Sequence, residues 1–193
     1  MNDNWYEVVD APPLTQGDLV FDCPVVGWKS TPTVFGGPNG EFLRAATEVV
    51  EADLVVMTQA CDLVHRKVTN VIVCPHFSLA EYHALWEQEM QKRNQRSTAK
   101  AWDGHCRDIR DGFLWNLSII NEYQGEPHQM SHRVVDFHDV YTIPLAFLEA
   151  ILTERRRSWL RLRPPYREHL SQAFARFFMR VGLPVPVSNL PTL

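Results

Sequence analysis

The fold is set by residues 53–75, which read DLVVMTQACDLVHRKVTNVIVCP. Two apolar runs in this stretch, Leu54–Thr58 and Val71–Cys74, are rich in β-branched residues, as buried strands are. Pro75 ends the second run because it has no amide hydrogen to donate to a sheet. The connection between the runs is too short for the crossover that parallel strands need. We therefore predict two adjacent antiparallel core strands, with Gln59-Ala60-Cys61-Asp62 at a tight bend.

Other stretches extend this sheet. Residues 17–28 alternate apolar and polar side chains and then become apolar, as a strand does on entering a core. A loop rich in glycine and proline follows at residues 30–40. Residues 159–162 alternate in the way that is typical of an edge strand. Further strands are predicted at residues 42–50, 113–120 and 132–137.

The helices are marked by the residues at their ends. Ser78 and Glu81 have the spacing of a capping box, which predicts a helix that runs to Lys92. A second helix is predicted after a break near Ser97, and a short one over residues 145–152. The last helix starts after Pro164-Pro165, presents an apolar stripe and stops at Gly182 and Pro184. The stripe consists of Tyr166, Leu170, Phe174, Phe177, Phe178 and Val181.

Length and composition indicate one domain with a sizeable core, since the chain has 193 residues, of which 45% are hydrophobic. Its first residues, MNDNWYEVVDAPP, are acidic and interrupted by proline, unlike a secretory signal. No apolar run approaches the roughly 20 residues that a membrane helix needs. We expect a cytoplasmic protein that does not contact a membrane and whose cysteines are reduced.

Charge is distributed unevenly along the chain. The net charge of −4 argues against a surface coated in positive potential for DNA or RNA. Residues 154–180 nevertheless hold eight arginines and only two glutamates. These arginines either form salt bridges to the acidic body or contact a phosphate-bearing or acidic partner. Together with the glutamine of the bend, the candidate binding residues are Gln59, Arg155, Arg156, Arg157, Arg161 and Arg163.

Cys61 is a candidate nucleophile. Its Gln-Ala-Cys sequence matches the opening of the caspase motif, but the first histidine of the chain, His65, lies downstream rather than upstream of it. A different dyad stays open. If residues 62–66 form a helical turn, Cys61 and His65 face the same way and Asp62 can orient the imidazole. The alternative is that Cys61 is a small apolar residue at the end of a strand.

The spacing of cysteine and histidine also raises the question of a metal site. Cys61-x3-His65 and Cys74-x-His76 offer four ligands within 16 residues. An antiparallel hairpin would separate Cys61 from Cys74 by about 13 Å, which is too far for both sulfurs to bind one ion. A zinc site made by Cys74, His76, His105 and Cys106 stays open, because the last two lie in another segment.

Part of the chain resembles a known family. Gly17-Asp18-Leu19-Val20, a Gly/Pro loop, an apolar strand and Val71–Pro75 ahead of a helix resemble the small SH3-like barrel of the MazF and PemK toxin ribonucleases. The resemblance covers residues 14–80, less than half of the chain. It implies the barrel, but Glu51-Ala52-Asp53 stands where the family has a catalytic arginine, and carboxylates there would repel a phosphate. Gln-x-Cys-Asp followed by Arg-Val-Gly-Leu-Pro at 180–184 also resembles proteins of bacterial mobile-element and defence islands.

We therefore predict an α+β fold in a single domain over residues 1–193. Strands within residues 14–80 and 113–162 form a small SH3-like β-barrel, elaborated with three or four helices. Residues 78–112 are a helical insertion, and the amphipathic helix at 164–182 packs on the barrel. Residues 184–193 form an extended tail.

The function expected from these features is that of a binding or regulatory module in a bacterial toxin–antitoxin or phage-defence system. It would contact nucleic acid or an acidic protein partner through the arginine-rich segment. Two alternatives stay open: a divergent MazF/PemK-like ribonuclease, and a thiol- or zinc-dependent hydrolase centred on Cys61. A homodimer, if one forms, is expected to use the aromatic stripe of the last helix.

Overall fold

The structure, a computed structural model, describes residues 5–29 and 39–179. The strands in these ranges are β1 Tyr6–Val9, β2 Asp18–Trp28, β3 Thr47–Val56, β4 Asn70–Ser78, β5 Leu117–Ile120, β6 Arg133–Asp136, β7 Tyr141–Pro144 and β8 Trp159–Leu162. The helices are α1 Asn39–Ala46, α2 Ala60–Val64, α3 Leu79–Lys92, α4 Ala99–Arg110, α5 Leu145–Arg155 and α6 Tyr166–Phe178. The predicted Gly/Pro loop falls largely outside the described residues, and so do the helix stop at Gly182 and the extended tail.

The two central strands are adjacent and antiparallel, as the sequence predicts. Leu54 lies opposite Pro75, and Val56 lies opposite Val73. The chain between β3 and β4 forms α2, which contains Cys61. The side chains of Leu54–Val56 are completely buried, and each contributes about 1.5–3 kcal/mol to stability.

All eight strands belong to one sheet in which every pair is antiparallel. The strand order is β1-β8-β2-β3-β4-β6-β5, and β7 also pairs with β4. One edge of β4 is shared, because residues 70–73 pair with β7 and residues 76–78 pair with β6. The predicted α+β class is confirmed. The described strands form an open sheet rather than a closed barrel.

Helices cover both faces of this sheet. Leu54 and Val56 of β3 point to one face and Val55 points to the other, as the alternation of a strand requires. The first face packs against Leu145, Leu148 and Leu152 of α5. The second face packs against α6, which contributes Leu170, Phe174 and Phe177. The last helix therefore packs on the sheet as predicted, although Phe178 of its stripe is 59% exposed.

Local signals place the ends of α3 and α4. The Ser78 hydroxyl accepts a hydrogen bond from the Glu81 amide at 3.1 Å, and the Glu81 carboxylate accepts one from the Ser78 amide at 2.7 Å. The predicted capping box is thus confirmed, and α3 ends at Lys92 as expected. α4 begins after Thr98, whose hydroxyl accepts from the amide of Ala101.

Several stretches differ from the prediction. Residues 113–116 precede β5 without joining it, and β1 was not predicted. Residues 42–46 complete α1 instead of opening a strand, because Glu41, Leu43 and two alanines favour a helix before the β-branched residues begin at Thr47. β7 was not predicted, since four residues carry little periodic signal. β8 lies between β1 and β2 rather than at an edge. No helix in the described ranges is long and apolar enough to span a membrane.

Candidate functional site

The candidate dyad at Cys61 is not assembled by hydrogen bonding. Cys61 is exposed, and the acceptors nearest its thiol are Gln59 Oε1 and Asp62 Oδ1, both 3.7 Å away. His65 follows the last residue of α2, and its backbone amide donates to the Cys61 carbonyl at 3.2 Å. No side-chain hydrogen bond joins its imidazole to the Cys61 thiol among the described residues. The Asp62 carboxylate lies 3.6 Å from the Lys67 ammonium instead of orienting an imidazole. A thiol beside a carboxylate lacks the positive surroundings that activate a nucleophilic cysteine.

The four residues of the candidate zinc site are not gathered either. Burial raises the pKa of the Cys74 thiol to about 12, and His76 is bound to an arginine. His105 lies on α4, where its Nε2 is 3.0 Å from the hydroxyl of Tyr82. Within the ranges that the structure describes, no group of three or more His, Cys, Asp or Glu side chains is placed to hold a metal ion.

The candidate arginines are divided between those that bond to other parts of the fold and those that do not. Arg155 donates hydrogen bonds to the carbonyls of Phe21 and Asp22, where β2 has a bulge. Arg161 forms a bidentate ion pair with Asp18, whose side chain is completely buried. These two arginines stabilise the fold, as salt bridges to the acidic body would.

The other three candidate arginines, at positions 156, 157 and 163, are exposed. Arg156 and Arg157 lie in the turn between α5 and β8, and neither side chain has a hydrogen bond or ion pair within the described ranges. Arg163 is also exposed, and its backbone amide donates to the carbonyl of Trp5 at 2.8 Å. Gln59 is exposed, and its side chain lies beside the Cys61 thiol. It is distant from the candidate arginines in sequence and has no hydrogen bond to any of them among the described residues.

A buried network that the sequence does not reveal joins three strands. Arg133, at the start of β6, donates from Nε to His76 Nδ1 at 3.0 Å and from its terminal nitrogen to the Asp53 carboxylate. The same terminal nitrogen reaches the His76 carbonyl at 3.2 Å. The guanidinium carbon lies 5.5 Å from the ring centre of Phe21, which adds a cation–π contact. The network crosslinks β3, β4 and β6 where the sheet divides.

The protonation of His76 follows from this network. Because Nδ1 accepts from Arg133, the ring hydrogen of a neutral imidazole is on Nε2, which is buried and has no hydrogen-bond partner among the described residues. Burial first, and the Arg133 charge second, hold the pKa of His76 well below its usual range. His76 is therefore a neutral structural histidine in a position where it cannot reach solvent.

The free edge of β2 is the first part of a more promising site. The amide of Lys29 donates to the carbonyl of Ala46 at 2.9 Å, which fixes the hydrogen-bonding pattern of β2 with β3. In this register the backbone amides and carbonyls of residues 23, 25 and 27 point towards β3, and those of residues 24, 26 and 28 point away from it. On that outer side β8 pairs only with Asp18 and Leu19. The backbone groups of Val26 and Trp28 therefore point to an edge with no strand beside it in the described part of the chain.

β7 presents a second edge with no strand beside it within residues 5–29 and 39–179. The amide of Leu145 donates to the carbonyl of Thr69 at 2.9 Å. In this register the backbone groups of Tyr141 and Ile143 point towards β4, whereas those of Thr142 and Pro144 point outward. Because proline has no amide hydrogen, Pro144 leaves no unpaired donor on the outward edge of β7. Pro24 does the same on the outward edge of β2. Proline within a strand is typical of edges, so Pro24 and Pro144 were the sequence signal for this site.

Both free edges line one groove of about 750 Å³. Its walls are residues 24–28, Glu48 and Val50 on one side, and residues 138–144 with Phe147 on the other. Val26, Trp28 and Phe147 are 65%, 69% and 46% exposed, so three large apolar side chains stand at the rim of the groove. Among the described residues, Glu48 and Asp139 are the charged residues of the groove, and none of its lining residues is a lysine or arginine.

Comparison with known proteins gives no relative from which a site could be transferred. No protein-family model matches the chain, and no curated protein is significantly similar to it. The function must therefore be inferred from the groove, the exposed cations and the buried network.

Proposed function

We propose that this protein is a binding module that takes an extended segment of a protein partner as an added strand between β2 and β7. The observation that carries the proposal is the pair of unpaired strand edges on opposite walls of one groove. An extended peptide gains affinity there from main-chain hydrogen bonds and gains specificity from the alternate side chains that enter the groove. Val26 and Trp28 offer amides and carbonyls on one wall, and Thr142 offers them on the other.

The charge of the groove favours a peptide over a nucleic acid. Glu48 and Asp139 would repel phosphates, and the described lining residues include no lysine or arginine to attract them. Trp28, Tyr141 and Phe147 instead provide aromatic surface for apolar side chains. The favoured partner segment is apolar at alternate positions, free of acidic residues and extended.

This proposal also gives a reason for the open sheet. β2, β3, β4 and β7 all contribute to the core cluster that contains Val25, Leu54 and Ile143, and we propose that one strand between β2 and β7 would complete their hydrogen bonding. We propose that the partner's strand completes a small SH3-like barrel. A regulatory role in a bacterial toxin–antitoxin or phage-defence system is the setting that the MazF/PemK resemblance suggests.

The two enzymatic alternatives have weaker support. A divergent ribonuclease needs a cation that can reach a phosphate, and the arginine nearest the Glu51-Ala52-Asp53 segment is Arg133. Its side chain is only 9% exposed and is neutralised by Asp53. A hydrolase centred on Cys61 needs an activated thiol, whereas this thiol lies beside Asp62 without a bonded imidazole.

Changing Val26 to proline tests the proposed strand addition. The Val26 amide points into the groove, so proline removes a donor to the peptide while the hydrogen bonds to β3 remain. Extended peptides of about ten residues, selected from a displayed random library on the full chain, supply the ligand. We expect Val26→Pro to weaken their binding about three- to tenfold, because one backbone hydrogen bond contributes about 0.5–1.5 kcal/mol.

Val26→Thr is the matched control, since it keeps the β-branched shape and the amide, and it should bind nearly as well as the wild type. Thermal unfolding of both variants checks that the β2–β3 ladder is intact. Strand addition would be wrong if no extended peptide is enriched, or if Val26→Pro and Val26→Thr bind the selected peptides equally.

A second candidate function is contact with nucleic acid or an acidic partner through Arg156 and Arg157. The observation that favours it is that these two adjacent guanidinium groups are exposed in one turn and have no partner among the described residues. Arg155 and Arg161 are excluded from such a surface by their internal bonds. Arg163 could add a third exposed charge on the far side of β8.

Reversing both charges tests this second function. We measure how the logarithm of the binding constant for a single-stranded RNA falls with the logarithm of the salt concentration. We expect the double variant Arg156→Glu with Arg157→Glu to make this slope shallower by about 1.4, as the loss of two phosphate contacts predicts. Fluorescence anisotropy at several salt concentrations measures it. Arg96→Glu with Lys100→Glu makes the same charge change at exposed positions elsewhere, and an equal effect there would mean that only net charge matters.

A further inference from the structure

We propose that the partner segment carries a lysine or an arginine opposite Gly27 of β2, and that this cation forms an ion pair with Glu48 of β3 across the glycine. The proposal rests on the strand addition proposed above, and it names the partner chemistry that the same groove selects. It draws on the register of β2 with β3, on the missing side chain at Gly27 and on the charge of Glu48.

The partner strand is expected to run antiparallel to β2. Three antiparallel pairings connect β2 to β7 through β3 and β4, so β2 and β7 run in opposite directions. A strand between them is therefore antiparallel to one and parallel to the other. β2 is the better antiparallel partner, because Val26 and Trp28 each offer an outward amide and carbonyl, whereas β7 has one outward amide, at Thr142.

The partner residue opposite Gly27 would belong to a row that crosses three strands. Gly27 and Glu48 lie directly opposite each other in the β2–β3 pair. Residues that lie opposite each other have their side chains on the same face of a sheet, so the partner residue would project from the same face as Glu48. Gly27 and Glu48 both line the groove, so this row faces into it.

Gly27 leaves the middle of this row open. Among the described residues, a Cβ atom at position 27 would meet nothing closer than a methyl group of Val50, at 3.6 Å. A glycine in a strand often marks a place where another group approaches closely. The apolar stem of a lysine or arginine can therefore lie across Gly27 and pack against Val50 while its charged end stays in water.

The distance across the row requires a long side chain. Gly27 and Glu48 form a hydrogen-bonded pair, and the partner residue would form a non-hydrogen-bonded pair with Gly27. The Cα atoms in such pairs are about 5.5 and 4.5 Å apart, so the partner's Cα atom would lie about 10 Å from that of Glu48. Lysine and arginine have long, flexible stems that can approach a glutamate over this distance, whereas histidine is too short.

The charge of the groove favours a cation in this row. The Glu48 side chain is exposed and forms no hydrogen bond or ion pair within residues 5–29 and 39–179. Asp139, the other charged residue of the described lining, is also acidic and precedes β7. A cation of the partner would thus be attracted to Glu48, and an acidic residue in its place would be repelled.

The neighbouring positions complete the partner's pattern. Partner residues opposite Val26 and Trp28 would project from the other face of the sheet, beside two exposed apolar side chains. Apolar residues at both positions would cover these side chains. The proposed partner is therefore an extended segment that reads apolar–basic–apolar over three consecutive residues.

Selection of peptides on charge variants of the full chain tests the proposal. Peptides selected from the displayed library on the wild type should carry Lys or Arg between two apolar residues. Glu48→Lys should select Asp or Glu at that position instead, because a cation would now be repelled. Glu51→Lys is the matched control, since it makes the same charge change at an exposed position of β3 that does not line the groove. It should select the same peptides as the wild type.

Fluorescence anisotropy with one selected peptide gives the size of the effect. Replacing the basic residue of the peptide by methionine should weaken its binding to the wild type about two- to fivefold, as the loss of one exposed ion pair predicts. The two peptides should bind Glu48→Gln equally. They should also bind Gly27→Val equally, because the valine side chain fills the middle of the row. Thermal unfolding of both variants checks that they are folded.

The outcomes separate this proposal from the function on which it rests. Selected peptides with an aromatic or uncharged residue in place of the cation would overturn the ion pair and leave strand addition standing. An aromatic residue there would mean that the partner covers the glycine with a ring instead. Equal preferences on Glu48→Lys and Glu51→Lys would likewise overturn it, because only net charge would then matter. If no peptide is enriched on the wild type, strand addition itself is rejected, and the ion pair with it.

Discussion

Arg133→Ala is expected to lower the free energy of unfolding by about 3–5 kcal/mol, the usual cost of removing one partner from a buried ion pair. The Arg133 side chain is 9% exposed and holds His76 and Asp53 at the same time. Its removal leaves the His76 ring with neither nitrogen bonded, and it leaves the Asp53 carboxylate, 23% exposed, without its counter-ion. Urea unfolding followed by circular dichroism measures the loss.

Two further variants serve as controls for Arg133→Ala. Arg66→Ala removes an arginine that is 68% exposed and lies 3.3 Å from Glu149, and we expect a change within about 0.5 kcal/mol. Arg133→Met keeps most of the volume, so the difference between it and the alanine variant separates packing from charge. A loss in Arg133→Ala no larger than that in Arg66→Ala would mean that the network does not join the three strands.

The parts of the fold that the sequence predicts are those whose signals are close together along the chain. The β3–β4 pair follows from two β-branched runs with a short connection, and the start of α3 follows from Ser78 and Glu81, three residues apart. The packing of α6 follows from the helical spacing of Leu170, Phe174 and Phe177. In each case the partner residues are neighbours in sequence or lie on one helix face.

The errors arise where a distant residue decides the environment. Arg161 makes the Trp159–Leu162 stretch look like an edge strand, because a charged residue in an alternating pattern indicates solvent. In the structure Arg161 lies directly opposite Asp18, and their ion pair allows β8 to lie inside the sheet between β1 and β2. Nothing in the local sequence of either residue shows that pairing, since 143 positions separate them.

The candidate site was missed for the same reason. The sequence drew attention to unusual side chains at Cys61, Cys74 and the arginines. The groove instead depends on the backbone edges of β2 and β7, which no other described strand covers. Pro24 and Pro144 were visible as strand-edge signals, but their two edges become one site only when the sheet curves around its core. Of the five arginines proposed to bind, Arg155 and Arg161 bond within the fold instead. The sequence did not show this because their partners, the bulge carbonyls and Asp18, lie far away along the chain.

The second large effect concerns pH, and it follows from the low pKa of His76. A histidine whose pKa is lower in the folded protein than in the unfolded chain contributes stability above the unfolded pKa, near 6.5. That stability is lost as the pH falls below 6.5 towards the folded pKa, because the unfolded chain binds a proton that the folded protein does not. We therefore expect the wild type to lose about 1.4 kcal/mol per pH unit below 6.5 from this group.

His76→Gln isolates this contribution. Glutamine does not titrate, and its amide oxygen can still accept the hydrogen bond from Arg133 Nε, so the network loses less than it would in an alanine variant. Urea unfolding of the wild type and the variant at several pH values gives two curves, whose difference should be constant above pH 6.5 and should shift by about 1.4 kcal/mol per unit below it in favour of the variant. Contributions from other titrating groups, such as Asp136, are common to both curves and cancel. As a control, the free energy of unfolding of His65→Gln, at an exposed position, should depend on pH as that of the wild type does. Parallel curves for the wild type and His76→Gln down to pH 5 would contradict the prediction, because they would mean that the buried imidazole takes up a proton without unfolding the protein.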